Sequence, residues 1–266
     1  MMCTGVSVAR GTLEIMTETE VPSAVVDLAA EAQRVTVLTG AGVSAESGIP
    51  TFRDAQTGLW SNFDPTDLAS PEGWARDSGL VWGWYQWRAE LVRRSEPNAG
   101  HLALTEWQRR GQLEIATQNV DDLHERAGST VVSHVHGSLF DPRCSECGVH
   151  SQPESDLPEG ASPDRIPPPP CPECGGPMRP GAVWFGESLP EDQWSAAVEC
   201  VENADLVLVV GTSGVVFPFA GLPAMARSTG AKVVEINPVE TAISDMADHR
   251  WRTTAATGLP ALVAAL

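Results

Sequence analysis

Apolar positions along the chain fall into two periods. Five short runs, 35–39, 113–117, 130–136, 205–210 and 232–236, are rich in Val, Ile and Leu and run into glycine or polar residues. Runs of that length and make-up predict strands buried on both faces of a parallel sheet. Between them the spacing lengthens to that of a helix over 21–33, 71–95, 98–110 and 258–266. Pro22 and Ser23 stand where a helix start favours them. Alternating strand and helix predict an α/β fold, a Rossmann-like parallel sheet with helices on both faces. That layer would be built from 21–62, 113–141 and 180–266, with 1–20 as a flexible tail. Two inserts would form a smaller domain: a helical one at 63–112, and a cysteine-bearing one at 142–179 whose prolines at 167–170 exclude helix.

The strand ends carry the polarity. In such sheets ligands bind in the crevice beyond them. After Val35–Thr39 comes Gly40-Ala41-Gly42-Val43-Ser44-Ala45, a match to G-x-G-x-x-G/A directly after a strand. There Gly40 is expected to permit a tight turn and Gly42 to clear space for a diphosphate. Ala45 would let a helix pack close, its free N–H groups facing the anion. The continuation is not that of a dehydrogenase. Gly48 and Pro50 break the helix within about a turn, and no second strand follows with an acidic residue at its end. The dinucleotide is therefore expected under a loop carrying Phe52 and Arg53, held for something other than hydride transfer.

Composition narrows the class. A content of 42% hydrophobic and 20% charged residues suits a soluble globular chain, and a net charge of −18 argues against nucleic acid or an anionic membrane as partner. No apolar run approaches the roughly 20 residues of a membrane span, and the first 20 residues lack a secretory pattern. Four of the six cysteines form two pairs, Cys144-x-x-Cys147 and Cys171-x-x-Cys174, with 23 residues between them. Four thiolates close a tetrahedral Zn2+ shell with no open position, so the metal would be structural and the compartment a reducing cytoplasm. Gly148 and Gly175 follow the pairs, as a zinc knuckle's sharp turn needs. A redox role for either pair is the lesser alternative.

Some residues are ambiguous when taken one at a time. His134 and His136 lie on one face of the same expected strand, so period alone could assign chemistry to either. Gln118, Asn119 and Asp121 end a strand, where an Asx turn formed by Asp122 is the plain alternative. Tyr85 and Arg88 are three apart on an expected helix that also carries Trp74, Trp82, Trp84 and Trp87, and Val81 and Val92 continue their stripe. A core stripe with a snorkelling arginine explains the tryptophans. It does not require the tyrosine, whose hydroxyl with a forked guanidinium makes a carboxylate receptor.

Taken in order, Gly40–Arg53, Thr117–His124, His136-Gly137, the two cysteine pairs, Val183–Glu187, Gly211-Thr212-Ser213 and Glu235-Ile236-Asn237 resemble a sirtuin. Sirtuins are NAD-dependent protein lysine deacylases, and the resemblance runs from about residue 25 to the C-terminus. It implies that NAD+ is consumed as a cosubstrate. The acyl-lysine amide oxygen displaces nicotinamide, and His136 takes a proton from a ribose hydroxyl as general base. The acyl group leaves on ADP-ribose. The resemblance places Gly40, Ala41, Gly42, Ser44, Ala45, Phe52, Arg53, Leu59, Gln118, Asn119 and Asp121 on the cofactor. Gly211, Thr212, Ser213, Asn237 and the backbone of Ala255 would hold its adenosine half.

Tyr85-x-x-Arg88, with small Ala69, is similar to the sirtuin class that takes succinyl- and malonyl-lysine. Val183, Phe185 and Gly186 would receive the substrate backbone as an added strand. A monomer acting on acylated-lysine proteins is expected. Departures from the family at Ala182 and Gly214 imply altered packing. A mainly deacetylating enzyme, an ADP-ribosyl transferase and an NAD-binding module on the same fold stay open as alternatives.

Overall fold

A computed structural model describes residues 20–50, 64–111, 113–151 and 165–266. The expected cofactor residues Phe52, Arg53 and Leu59 lie outside the described residues, as does most of the expected N-terminal tail.

Helix α1 (Ser23–Glu31) leads into β1 (Val35–Thr39), all of whose residues are buried. Two single 3-10 turns follow, at 41–43 and 45–47, and Gly48 ends them in the left-handed region at φ 85°. Next come α2 (Pro65–Leu68), α3 (Pro71–Arg76), α4 (Ser78–Arg94) and α5 (Ala99–Arg110). β2 (Leu113–Thr117), α6 (Leu123–Ala127) and β3 (Ser133–His134) complete one half of the sheet. β4 (Arg143–Cys144) and β5 (Met178–Arg179) pair antiparallel within the cysteine insert. The chain returns through α7 (Glu191–Asn203), β6 (Leu206–Val210), α8 (Leu222–Ser228), β7 (Lys232–Ile236), β8 (His249–Trp251) and α9 (Ala255–Ala265).

Six parallel strands stand in the order β3-β2-β1-β6-β7-β8. Strand pleating divides the core in two, because successive side chains face opposite ways. Val35, Val37, Leu206, Leu208 and Val210 join α1, α5 and α9 on one face. Leu38, Val207 and Val209 join α7 and α8 on the other. The order reverses at β1 and β6, which places a crevice between the loops after these two strands. Among the described residues, no helix is long and apolar enough to cross a membrane.

Several expected elements shift. The single helix expected at 71–95 breaks at Asp77 (φ −152°), whose Oδ1 accepts the Leu80 N–H at 2.9 Å and so starts α4 afresh. The strand expected over 130–136 shortens to β3, since Gly137 turns away at φ 72°. Helices α7 and α8 and strand β8 carry no element in the sequence reading. Helix α5 buries Ala103, Leu104 and Trp107 in the sheet's own core, which groups it with that layer rather than with the insert expected over 63–112. Helix α4 turns Val81, Trp84, Tyr85 and Val92 toward a separate cluster with Ala69, Ala182 and Trp184. Trp82, on its other side, packs on Cys144, Cys171 and Met178 and seats the cysteine insert.

Candidate active site

The loops after β1 and β6 touch backbone to backbone. Gly42 donates its N–H to the Gly211 carbonyl at 2.8 Å, and Gly40 donates to Val210 at 3.1 Å. A Cβ on Gly42 would lie 2.7 Å from the Gly211 Cα, and one on Gly40 would lie 2.8 Å from both Gln118 Nε2 and Thr212 Cβ. Gly40 is extended (φ −132°), a conformation open to any residue, so crowding rather than a tight turn makes it glycine. Gly42 likewise yields its side-chain space first to Gly211. Ala45 also departs from expectation: it is exposed and lines the cavity, while Val43 supplies the packing under the loop.

Around this contact the polar strand ends form a connected set. Ser44 donates to Asp121 Oδ2 at 2.9 Å and accepts from Asn119 Nδ2 at 3.3 Å. Asp121 Oδ1 takes the Leu123 N–H at 3.2 Å. The Asx turn at the head of α6 is thus made by Asp121, whereas Asp122, at the N-cap, makes no side-chain cap bond. Burial pushes the Asp121 carboxyl up, against the hydrogen bonds from Leu123 and Ser44 and the nearby Arg88 charge. Gln118 donates to the Thr212 hydroxyl, and Asn237 Nδ2 to the Thr212 carbonyl at 3.0 Å. Beneath them His124, fully buried, bonds Thr39 Oγ1 at 3.0 Å and so packs rather than faces ligand.

The two histidines left open by periodicity separate. His136 lines the cavity. Its Nδ1 lies 3.2 Å from the Gln118 carbonyl, which can only accept, so Nδ1 carries the proton and Nε2 keeps its lone pair. Burial holds this imidazole below the usual histidine range, against the Gln118 bond. His134 instead has both ring nitrogens engaged within the protein, by Asn119 and Glu125.

Tyr85 and Arg88 both reach the cavity wall, with Ala69 beside them. Burial pushes the Tyr85 phenol up, against the Arg88 charge. The Arg88 guanidinium lies 4.9 Å from the Trp84 ring centre and makes no hydrogen bond or ion pair among the described residues. Burial lowers its pKa, against Tyr85 and Asp121, yet an arginine stays charged in a protein.

Val183 and Phe185 are pinned through their backbone, Val183 N–H to the His136 carbonyl and Phe185 N–H to Ala69, each at 2.9 Å. Gly186 follows at φ 87°. Glu187 accepts Arg179 through both oxygens and the Trp184 N–H at 2.8 Å, with the Arg179 head 3.4 Å over the Trp184 ring. Of the departures, Ala182 is bridged to Gly137, and Gly214 sits at φ 68° with Ile243 where a Cβ would go.

Four sulfurs gather in the insert. Cys144 and Cys174 Sγ are 3.5 Å apart, Cys147 and Cys171 3.6 Å, and all four lie within 4.8 Å of one another. These are far beyond a disulfide bond and near the edge of a Zn–S4 tetrahedron, about 3.8 Å for bonds of about 2.3 Å. Backbone N–H groups of Glu146 and Gly176 point at Cys144 and Cys174 sulfurs, each at 3.4 Å, as thiolates favour. The donor set fits one structural Zn2+. Plasma mass spectrometry should find one zinc per chain. Cys147→Ser with Cys174→Ser should abolish it and lower Tm by several degrees; a zinc-free chain of equal stability would contradict the assignment.

A cavity of about 1190 Å3 joins these groups, from Asn237 and Ala255 past the glycine loops to His136, Tyr85 and Phe185. Its volume and polar strand ends fit a dinucleotide with an acyl chain beside it. One part of the wall gave no signal in the sequence, and neither did one ion pair beside it. Val215, Val216 and Phe217 line the mouth, Phe217 at 74% exposure, and apolar residues after a strand gave no sign of facing a ligand. The Arg179–Glu187 clamp joins residues of unremarkable spacing, which pair only once the insert folds.

The Sir2 family model matches residues 40–218. An NAD-dependent protein deacylase of Corynebacterium glutamicum is 49% identical over 244 residues, 91% of this chain and 94% of that protein. One from Mycobacterium tuberculosis is 53% identical over 231 residues, 86% of this chain and 96% of that protein. Among solved structures, a Sir2 homologue in complex with NAD superposes with a TM-score of 0.85 at 45% identity, covering 93% of this chain and 94% of the other. A Sir2 bound to acetylated peptide gives 0.76 at 29% identity, covering 88% and 93%.

Proposed function

The chain belongs to the Sir2 family and is an NAD-dependent protein deacylase, and from that premise we propose that it favours lysine acyl groups ending in a carboxylate, succinyl and malonyl above acetyl. Arg88 carries the reading. It is a permanent cation in the wall of an apolar-lined cavity, beside a phenol, with no direct ion-pair partner among the described residues; Asp121, the carboxylate whose charge reaches it, is bonded by Ser44 and Leu123 instead. A terminal carboxylate would accept the guanidinium fork and the Tyr85 hydroxyl together. An acyl group without one would leave the charge unpaired. Ala69 keeps the adjoining wall small.

NAD+ supplies the acyl acceptor and a leaving nicotinamide. Gly40, Ala41, Gly42, Ser44 and Ala45 would hold its diphosphate side, with Phe52, Arg53 and Leu59 assigned to the same side by resemblance. Gln118, Asn119 and Asp121 would hold the reacting ribose, and Gly211, Thr212, Ser213, Asn237 and Ala255 the adenosine. His136 is assigned as general base, since its Nε2 lone pair is fixed toward the cavity by the Nδ1 bond. Val183, Phe185 and Gly186 would receive the backbone of an acylated protein. Reduced cysteines holding one zinc as thiolates suit a reducing cytoplasm, and a monomer is part of the same proposal.

Steady-state nicotinamide release with peptides differing only in the acyl group tests the preference. The expected order in kcat/KM is succinyl and malonyl above acetyl, and an acetyl preference overturns it.

A further inference from the structure

His134 and His136 do matching things to consecutive peptide units. His136 Nδ1 meets the Gln118 carbonyl and His134 Nδ1 meets the Asn119 carbonyl, each at 3.2 Å. They differ at the other nitrogen. His136 Nε2 has no protein partner among the described residues, whereas His134 Nε2 lies 2.6 Å from Glu125 Oε1. A carbonyl and a carboxylate both only accept, so both nitrogens of His134 must donate. The two bonds together require a doubly protonated ring. We propose that His134 is a positioning residue, an imidazolium that Glu125 holds in place and that fixes the Asn119 peptide in the pose used for deacylation.

The consequence runs along bonds already described. Asn119 N–H donates to Thr117 Oγ1 at 3.0 Å and its side chain to Ser44, which in turn donates to Asp121. The Asn119 N–H lies on the peptide unit whose Gln118 carbonyl meets His136, so the two histidines hold the units on either side of the Asn119 Cα; releasing the Asn119 carbonyl would loosen the side-chain bond to Ser44 and, through it, the bond to Asp121. The groups facing His134 come from three elements. Glu125 and the buried, neutral His124 come from α6, Asp121 from the loop, and Gln193 from α7. Gln193 accepts the His134 backbone N–H at 2.8 Å and is itself tied to Asp192. Burial alone would lower the His134 pKa, but the bond and charge of Glu125 outweigh it and the net direction is upward.

The sign follows from that. A raised folded pKa means the clamp is complete below the ordinary histidine value of about 6.5 and is lost as pH rises through the elevated one. His136, shifted down, stays a free base until pH falls below the ordinary histidine range. The two imidazoles thus set opposite limbs of one activity profile, His136 the acid limb and His134 the alkaline limb.

The inference rests on the deacylase reading only for its kinetic arm. Long-range 1H–15N NMR of the full chain should show His134 with both nitrogens protonated at pH 7 and His136 with one. Nicotinamide release against pH in Glu125→Gln should move the alkaline limb down by about one unit or more, while the acid limb stays. His134→Gln should remove that limb and raise KM for NAD+ more than it lowers kcat. A singly protonated His134 at pH 7, or an unmoved alkaline limb in Glu125→Gln, overturns the proposal. Absence of activity in the wild type would count against the deacylase reading, and the NMR result would still decide the imidazolium.

Discussion

His136→Ala should lower kcat for deacylation by about 10²- to 10⁴-fold, the usual contribution of a positioned general base. Three features of the side chain lead there. The Gln118 carbonyl fixes the tautomer, so the lone pair is on Nε2. That nitrogen belongs to a residue of the cavity wall. Burial lowers the pKa, so at pH 7 the ring is already in the basic form. Alanine removes the base and leaves the strand, because the His136 carbonyl that holds Val183 belongs to the backbone. KM for NAD+ should therefore change only a few-fold. Isotopic exchange of nicotinamide into NAD+ should fall less than product formation, since departure of nicotinamide needs no proton removal by this ring. Equal kcat in the variant and the wild type would remove His136 from its assigned role.

The sequence carried the sheet and the positions of its loops, because buried parallel strands announce themselves as short apolar runs. Val35–Thr39, Leu206–Val210 and Lys232–Ile236 stand where those runs are. The cysteine cluster was equally legible, since two tight pairs leave a metal few other arrangements. The Asp77 break was not, because Asp-Ser-Gly at 77–79 is a cap signature only when a bond to Leu80 is known. Helix α7 was missed although its apolar face is ordinary, with Ala197, Cys200 and Val201 buried. Its pattern is weak beside that of the strand that follows. The two histidines show the limit most clearly. Their spacing made them equivalent, the resemblance alone chose His136, and their partners, Glu125 nine residues away for one and open cavity for the other, give the physical difference. Glycines were legible as necessary, but one source of the crowding at them was not: a Cβ on Gly42 would meet Gly211, in the loop after β6 almost 170 positions later.

Arg88→Met should cut kcat/KM for a succinyl-lysine peptide by about 30-fold to several thousand-fold, the range given by about 2–5 kcal/mol for truncating one member of a desolvated charge pair. Methionine keeps the length and apolar stem of the side chain, while the guanidinium that stands over the Trp84 ring goes with the charge. What is lost is the fork that would take both carboxylate oxygens. With an acetyl-lysine peptide there is no carboxylate to lose, and the wild type must hold an unpaired cation beside the acyl group. Deacetylation should therefore fall far less than desuccinylation. One complication is Asp121, whose carboxyl the Arg88 charge helps to keep ionised against burial. Removing that charge pushes Asp121 toward its protonated form and will disturb NAD+ binding. Both peptides share that disturbance, so the ratio of their kcat/KM values is the measurement that isolates the acyl contact. Tyr85→Phe, which removes one donor and no charge, should shift the same ratio in the same direction by about tenfold or less. A ratio unchanged in Arg88→Met would mean that the guanidinium does not meet the acyl group, and the carboxylate preference would have to come from some other wall of the cavity.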